Sequence, residues 1–271
     1  MNENPLSSQS LDVPPELVRD ARAARNIVVL TGAGMSAESG IPTFRDTRTG
    51  FWANFDPSAL ASASGFKRNP ALVWGWYEGR RRDVRRRKPN AGHFALQDLA
   101  KLDGVESLTV ITQNVDDLHE RAGSTDLIHL HGNLFGSQCF ACQRPYVADT
   151  PSAVEDLAEP DAEEDRPTPP PRCRRCNGLV RPAVVWFDEL LSPANWTEAC
   201  RHVQGADLVL VVGSSGEVYP AALLPDMAVE RGCPVWIINP ADGLDTTFRK
   251  AWRSTAAVAL PALVAGCAKE E

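Results

Sequence analysis

No run of about eighteen apolar residues occurs in this 271-residue sequence, so no membrane-spanning helix is expected. Its first stretch, Met1 to Glu16, has neither an apolar core of the secretory kind nor a single arginine. It reads as neither a signal nor a transit peptide but as a disordered lead-in over residues 1–15, which makes the expected address cytoplasmic. Positive charge is not in excess: the formal net charge is −7, which counts against a general nucleic-acid binder. Cysteine is scarce, seven residues in all. Cys200, Cys233 and Cys267 stand alone and carry no role, whereas the other four form two Cys-x-x-Cys pairs, Cys139/Cys142 and Cys173/Cys176. In a cytosolic chain that pairing points to a metal rather than to disulfides. The length allows one good core, or a large unit and a small one.

What is present is organised around Thr31-Gly-Ala-Gly-Met-Ser-Ala-Glu-Ser-Gly-Ile-Pro-Thr-Phe-Arg-Asp46. The apolar, β-branched run Asn26–Leu30 before it reads as a buried parallel strand. Gly32, Gly34 and Ala37 fit Gly-x-Gly-x-x-Gly/Ala, which allows a tight turn and a helix start whose free N–H groups face a pyrophosphate. The bland alternative is a turn and nothing more. The usual continuation, a full helix, a second strand and a ribose-binding acid about twenty residues on, is missing. Pro42 ends any helix early, and the chain enters a polar stretch with one aromatic, read as a loop over a ligand. The ribose contact must come from elsewhere.

Further motifs follow in order. Pro14–Arg25 reads as a helix. Asn69-Pro70 reads as a cap and a first helical residue, with a helix to about Arg87 and an apolar stripe of Leu72, Val73, Trp76 and Tyr77. Tyr77 and Arg80 share a face at i, i+3. Seven of the nine residues from Arg80 to Lys88 are basic, so most form a solvated face. Pro89–His93 opens a helix to about Leu102, with His93 structural, packing or capping. Strand Ser107–Thr112 delivers Gln113-Asn114-Val115-Asp116 at its carboxyl end, where open parallel sheets bind ligands. The alternative is an Asx turn capping a helix from Asp116 to Ala122. Strand Leu127–Leu130 ends at His131-Gly132. A lone histidine is more often a packed one, but this one stands at a strand end before a glycine, and its ordinary pKa suits a general base. His129, two residues away, should share its face.

Two Cys-x-x-Cys pairs make a closed, four-thiolate zinc site, structural because no position stays open for water. The thirty residues 143–172 between them hold seven prolines and eight acids against three arginines, and read as a flexible acidic loop. Val180–Glu189 reads as an extended, β-branched and aromatic run, with Val184–Phe187 as strand or as an extended edge for peptide pairing. Ala194–Gln204 reads as a helix, Asp207–Val212 as a buried strand ending at Gly213-Ser214-Ser215, Pro220 as a helix start, and Pro234–Ile238 as the last well-marked strand, closed by Asn239-Pro240. Small and hydroxyl residues at those strand ends suit phosphate or ribose.

The stretch Gly32–Arg45 resembles the sirtuin signature Gly-Ala-Gly-x-Ser-x-x-Ser-Gly-Ile-Pro-x-Phe-Arg. The resemblance runs from about Ala24 to the end, with Pro-Asn-x-x-His, Thr-Gln-Asn-x-Asp and His-Gly in the family's order. It implies NAD held by Gly32, Ala33, Gly34, Ser36, Ala37, Phe44, Arg45, Gln113, Asn114, Asp116, Gly213, Ser214, Ser215, Asn239, Pro240, Ala241 and Ala256. Gln113 reaches the ribose, Asn114 and Asp116 line the nicotinamide pocket, Phe44 and Arg45 form a lid, and Asn239 takes the missing ribose contact. Ala256–Leu263 resembles the family's final adenine-contacting turn. The implied general base is His131, with Asn114 beside it in catalysis. Val184, Phe187 and Val218 line a groove where the substrate peptide adds as a strand. Tyr77 and Arg80 resemble the pair by which some sirtuins grip acidic acyl groups. Ser214 and Asp188 depart from the family's threonine and glycine, Asp188 at the edge where the peptide is expected to pair.

The expected fold is α/β, a Rossmann-like doubly wound parallel sheet with a smaller helical and zinc-binding module. Residues 16–44, 91–136 and 179–271 form the NAD-binding part, 45–90 the helical part of the small module, and 137–178 its zinc-bearing part. The implied activity is NAD-dependent removal of acyl groups from protein lysine, acetyl and also succinyl or malonyl, with nicotinamide and O-acyl-ADP-ribose released. NAD is a co-substrate, one zinc ion is structural, acylated-lysine proteins or peptides are the partners, and a monomer without nucleic acid or membrane is expected. An ADP-ribosyltransferase using the same NAD site is the alternative. A zinc-bearing nucleic-acid module and an ordinary dehydrogenase fit less well, the first for its charge and the second for the missing acid.

Overall fold

A computed structural model describes residues 12–42, 60–147, 166–241 and 249–268. Helix α1 (Pro15–Ala23) leads into β1 (Asn26–Thr31), and α2 (Gly34–Ala37) follows at once. Next come α3 (Ala63–Arg68), α4 (Pro70–Arg86), α5 (Ala91–Leu99), β2 (Ser107–Thr112), α6 (Leu118–Arg121), β3 (Leu127–His129) and β4 (Gly132–Cys139). The chain continues through β5 (Val180–Val184), α7 (Pro193–Gly205), β6 (Leu208–Val212), α8 (Leu224–Val229), β7 (Val235–Ile238), β8 (Lys250–Trp252) and α9 (Ala256–Ala268).

Six strands form one parallel sheet in the order β3-β2-β1-β6-β7-β8. The order reverses between β1 and β6, so the doubly wound expectation is borne out, and a ligand crevice belongs at that switch point. The strands are apolar because both faces are covered: every residue of β6 and β7 is buried. One face packs α1, α5 and α9 through Leu17, Leu96 and Leu260, and the other packs α7 and α8 through Ala199, Val203 and Leu224. Among the described residues no helix is long and apolar enough to cross a membrane. A separate antiparallel pair, β4 with β5, packs against α3 and α4 through Phe66, Trp76, Leu134 and Trp186.

Most predicted elements stand within a few residues of their places, with informative exceptions. Within the extended run Val180–Glu189 the strand is Val180–Val184, so of Val184–Phe187 only Val184 is in it. After Val184 the chain turns, the Glu189 N–H donating to the Trp186 carbonyl at 3.0 Å, and Phe187 is left exposed. The predicted turn at Ala256–Leu263 is the start of the thirteen-residue helix α9, whose residues Ala256, Ala259, Leu260 and Leu263 are buried at helical spacing. Its first residue touches α5 closely: a Cβ on Gly92 would lie 2.7 Å from the Ala256 carbonyl oxygen. Strand β8 follows the last strand marked by sequence. Helix α2 ends at Ala37 and Gly40 turns at φ +79°, so the stop comes before Pro42.

Candidate functional site at the carboxyl ends of the strands

His129, Thr112, Thr31, Val212, Ile238 and Trp252 pair in one row across the sheet. The chain leaves that row at Gln113, Gly32, Gly213 and Asn239, so residues far apart in sequence converge by register alone. Glycine is demanded where β1 meets β6. A Cβ on Gly32 would lie 2.8 Å from the Gly213 carbonyl oxygen, and one on Gly213, at φ +62°, 2.5 Å from the Met35 amide. Gly32 donates to the Val212 carbonyl at 3.0 Å and Gly34 to Gly213 at 2.9 Å. Those two amides therefore tie β1 to β6 and are not free for an anion, a correction to the simple glycine-motif reading.

Next to this turn, buried polar groups form one connected set. Thr31 Oγ1 donates to Thr112 Oγ1 at 2.8 Å, and Thr112 Oγ1 accepts from the Asn114 amide at 3.0 Å. Ser36 Oγ donates to Asp116 at 3.0 Å and accepts from Asn114 Nδ2 at 3.2 Å. Asp116 also accepts from the Leu118 amide at 3.1 Å, so the Asx turn exists alongside the cluster rather than instead of it. Burial pushes the Asp116 carboxyl up, and the Leu118 and Ser36 hydrogen bonds pull part of the way back. Gln113 Nε2 donates to Ser214 Oγ at 3.1 Å. Asn239 is largely committed within the protein: its Nδ2 donates to the Ser214 carbonyl at 3.0 Å and its Oδ1 accepts from the Ala241 amide at 3.0 Å. Ser215 and Ala241 are exposed at the rim, while Ala33 and Ala37 flank the turn.

His131 faces this cluster. Its Nδ1 lies 3.0 Å from the Gln113 carbonyl, which only accepts, so Nδ1 carries the proton and Nε2 holds the lone pair. Burial lowers its pKa from the ordinary histidine value, and the Gln113 bond partly offsets that. The ring is therefore neutral at neutral pH, with a basic nitrogen available. The His131 carbonyl accepts from the Val185 amide at 2.8 Å, which ties the β5 end to the sheet end. His129 contacts the adjacent carbonyl of the same turn, so both rings do serve one face. His93 is a capping residue as expected, its Nδ1 accepting from the Asn90 amide at 3.3 Å.

On α4, Tyr77 is buried and its hydroxyl accepts from Trp186 Nε1 at 2.9 Å. Burial raises the Tyr77 pKa against the opposing pull of Arg80 and Trp186, so the phenol stays neutral and keeps a proton to donate. Arg80 is half-buried, its guanidinium 5.1 Å from the Trp76 ring centroid. Trp186 was not singled out from sequence. It is clamped by Arg181, 3.4 Å from its ring centroid, and by Glu189, which accepts from the Trp186 amide at 2.9 Å and pairs with Arg181. No spacing in the sequence signals those contacts. Asp188 accepts from the Ala63 amide at 3.0 Å at the start of α3. Val184 is buried, and Phe187 and Val218 are exposed. Phe44 and Arg45 lie outside the described residues.

The thiols of Cys139, Cys142, Cys173 and Cys176 lie within 4.8 Å of one another, with Cys139–Cys176 at 3.5 Å and Cys142–Cys173 at 3.9 Å. Tetrahedral zinc with bonds of about 2.3 Å needs sulfur separations of about 3.8 Å. Both the donor set and the spacing fit.

Residues 32–220 match the Sir2 family. An NAD-dependent protein deacylase of Methylococcus capsulatus is 50% identical over 232 residues, 86% of this chain and 88% of that one. Another, of Corynebacterium glutamicum, is 46% identical over 247 residues, 91% and 93% of the two chains. Among solved structures, a Sir2 homologue–NAD complex is 37% identical, superposes with a TM-score of 0.80 and covers 96% of each chain.

Proposed function

The chain belongs to the Sir2 family and is an NAD-dependent protein deacylase, and from that premise we propose which of its residues do the work and that acidic acyl groups are among its substrates. The carrying observation is the convergence at one sheet end of the Gly32–Gly213 contact, the Ser36–Asn114–Asp116 set and the neutral His131. NAD, when bound, supplies the ribose to which the acyl group passes, and nicotinamide and acyl-ADP-ribose are released.

Gly32 and Gly34 give the closeness that a pyrophosphate needs, with Ala33, Ser36 and Ala37 beside it. Gln113, Ser214, Ser215 and Asn239 hold ribose and phosphate, with Pro240, Ala241 and Ala256 toward the far end. Asn114 and Asp116 hold the nicotinamide amide; Asp116 accepts and Asn114 can do both. His131 takes a ribose hydroxyl proton on Nε2, because Gln113 keeps Nδ1 protonated throughout. Phe44 and Arg45 serve as the lid. The four thiolates hold one zinc ion, closed to water and remote from any chemistry. The acylated-lysine segment lies along the β5 end, past Val184, Phe187 and Val218.

Tyr77 and Arg80 set the acyl preference. The Trp186 N–H occupies an acceptor position of the Tyr77 oxygen, so the phenol proton is left to donate. A phenol donor and a guanidinium one turn apart suit a carboxylate-ended acyl chain. Matched acetyl-lysine and succinyl-lysine peptides, incubated with NAD and followed by mass spectrometry, test this. Faster succinyl loss is expected, and Arg80→Met should lower its kcat/KM by about 10- to 100-fold while acetyl loss stays nearly constant. Loss of acetyl alone would remove the acyl role of this pair and leave the deacylase intact.

A further inference from the structure

His129, the last residue of β3, has no part in the reading above, yet both of its ring nitrogens are committed. Nδ1 lies 3.2 Å from the Asn114 carbonyl oxygen and Nε2 lies 2.9 Å from a Glu120 carboxylate oxygen. A carbonyl and an ionised carboxylate only accept. A neutral imidazole carries one N–H and can satisfy one of them, so satisfying both takes the doubly protonated ring. Glu120 is half-exposed and its same oxygen also accepts from Asn133 Nδ2 at 3.4 Å. The His129 carbonyl accepts from Asn195 Nδ2 of α7 at 2.8 Å, so the ring is presented from a fixed backbone.

We infer that His129 stands as an imidazolium ion that ties the Asn114 peptide to Glu120, and is thereby a positioning residue for the Asn114 side chain in the cofactor pocket. The two histidines of this segment then hold consecutive carbonyls in different charge states, His131 neutral on Gln113 and His129 charged on Asn114. The positioning role rests on the assignment of Asn114 to that pocket. The ionisable groups that act on His129 are Glu120 and His119 from α6 and Asp116 from the loop after β2; α7 contributes the neutral Asn195. Burial opposes the charge, but the Glu120 bond and charge, the Asn114 carbonyl and Asp116 outweigh it and hold the His129 pKa above the ordinary value. For Glu120, burial is likewise outweighed, by the His129 bond and charge together with a backbone hydrogen bond, and its carboxyl stays below the ordinary value. The tie is thus intact between the lowered Glu120 pKa and the raised His129 pKa, and it weakens in acid as the carboxylate takes up a proton. It is lost as pH rises through the His129 pKa, when one N–H leaves and one bond goes with it.

Long-range proton–nitrogen NMR of the histidine-labelled protein near neutral pH tests this directly. Both His129 nitrogens should show the imidazolium pattern, while His131 shows a neutral ring protonated at Nδ1; loss of one signal set in His129→Gln gives the assignment. Glu120→Gln should move the alkaline limb of kcat/KM for NAD to lower pH, reduce the neutral value by about tenfold, and leave the acid limb in place. A neutral His129 ring in the wild type, or an unmoved alkaline limb in Glu120→Gln, would overturn the inference. Asn114→Ala with undiminished NAD turnover would instead remove the assignment on which the positioning role rests, and the His129 signal tells the two failures apart.

Discussion

The six-stranded sheet and the β4/β5 module are held together by different physics. The sheet buries aliphatic strands on both faces: β6 is Leu208–Val212, apolar and buried throughout. The module has a short sheet and a core of rings, Phe66, Trp76, Tyr77, Phe140 and Trp186, with Arg181 buried against Trp186 and paired with Glu189. A buried arginine is costly unless paired and hydrogen-bonded, and here it is both. The four thiols stand together as a cluster that fits a metal ion. The contrast teaches where the rigidity lies. The main sheet is held by apolar burial on both faces, whereas the β4/β5 module rests on a ring core, a few directional contacts and a thiol cluster that fits a metal.

Removing the metal should pull the two halves apart most strongly. Structural zinc contributes on the order of 10 kcal/mol of folding free energy in small modules. Chelation, or Cys173→Ser, should abolish the near-ultraviolet circular dichroism of Trp76 and Trp186 while far-ultraviolet signal from the main sheet largely persists. A single transition that removes both signals together would break the comparison.

A smaller effect belongs to the sheet side. His93 and His119 stack with ring centroids 4.9 Å apart, and His93 Nε2 and His119 Nδ1 have no hydrogen-bond partner among the described residues. Burial lowers the His93 pKa to about 4 and the His119 pKa to about 3, the latter with added repulsion from His93 and His129. Both rings are neutral when folded, whereas unfolded histidine binds a proton near pH 6.5. Their stabilisation is therefore complete above about pH 6.5 and is lost as pH falls, by roughly 2 kcal/mol per ring at pH 5. Urea unfolding from pH 7 to 5 should show that loss, and His119→Gln should flatten its share of the slope.

The same contrast governs how much the sequence disclosed. The main sheet was legible because burial on both faces forces uninterrupted apolar runs, as in Asn26–Thr31 and Leu208–Val212, and because strand ends gather ligand-binding groups. The cysteine pairs were legible because ligand spacing is local. Within the extended run from Val180 the strand was set late because Arg181 and Pro182 interrupt its apolar pattern, and Arg181 is buried against Trp186 and paired with Glu189. Helix α9 was hidden by Pro261 and by apolar residues on all its sides. Trp186 on Tyr77 and Glu120 on His129 are pairings between distant elements, and no periodicity announces them.

The most direct measurement is NAD-dependent deacylation by wild type and His131→Ala, with deacylated peptide and nicotinamide counted together across pH. One nicotinamide per acyl group removed is expected in the wild type. The acid limb of its kcat/KM should fall below pH 6.5, because burial lowers the His131 pKa. The variant should be slower by about 10²- to 10⁴-fold. Undiminished deacylation by His131→Ala, or ADP-ribose accumulating on protein while the peptide stays acylated, would contradict the account.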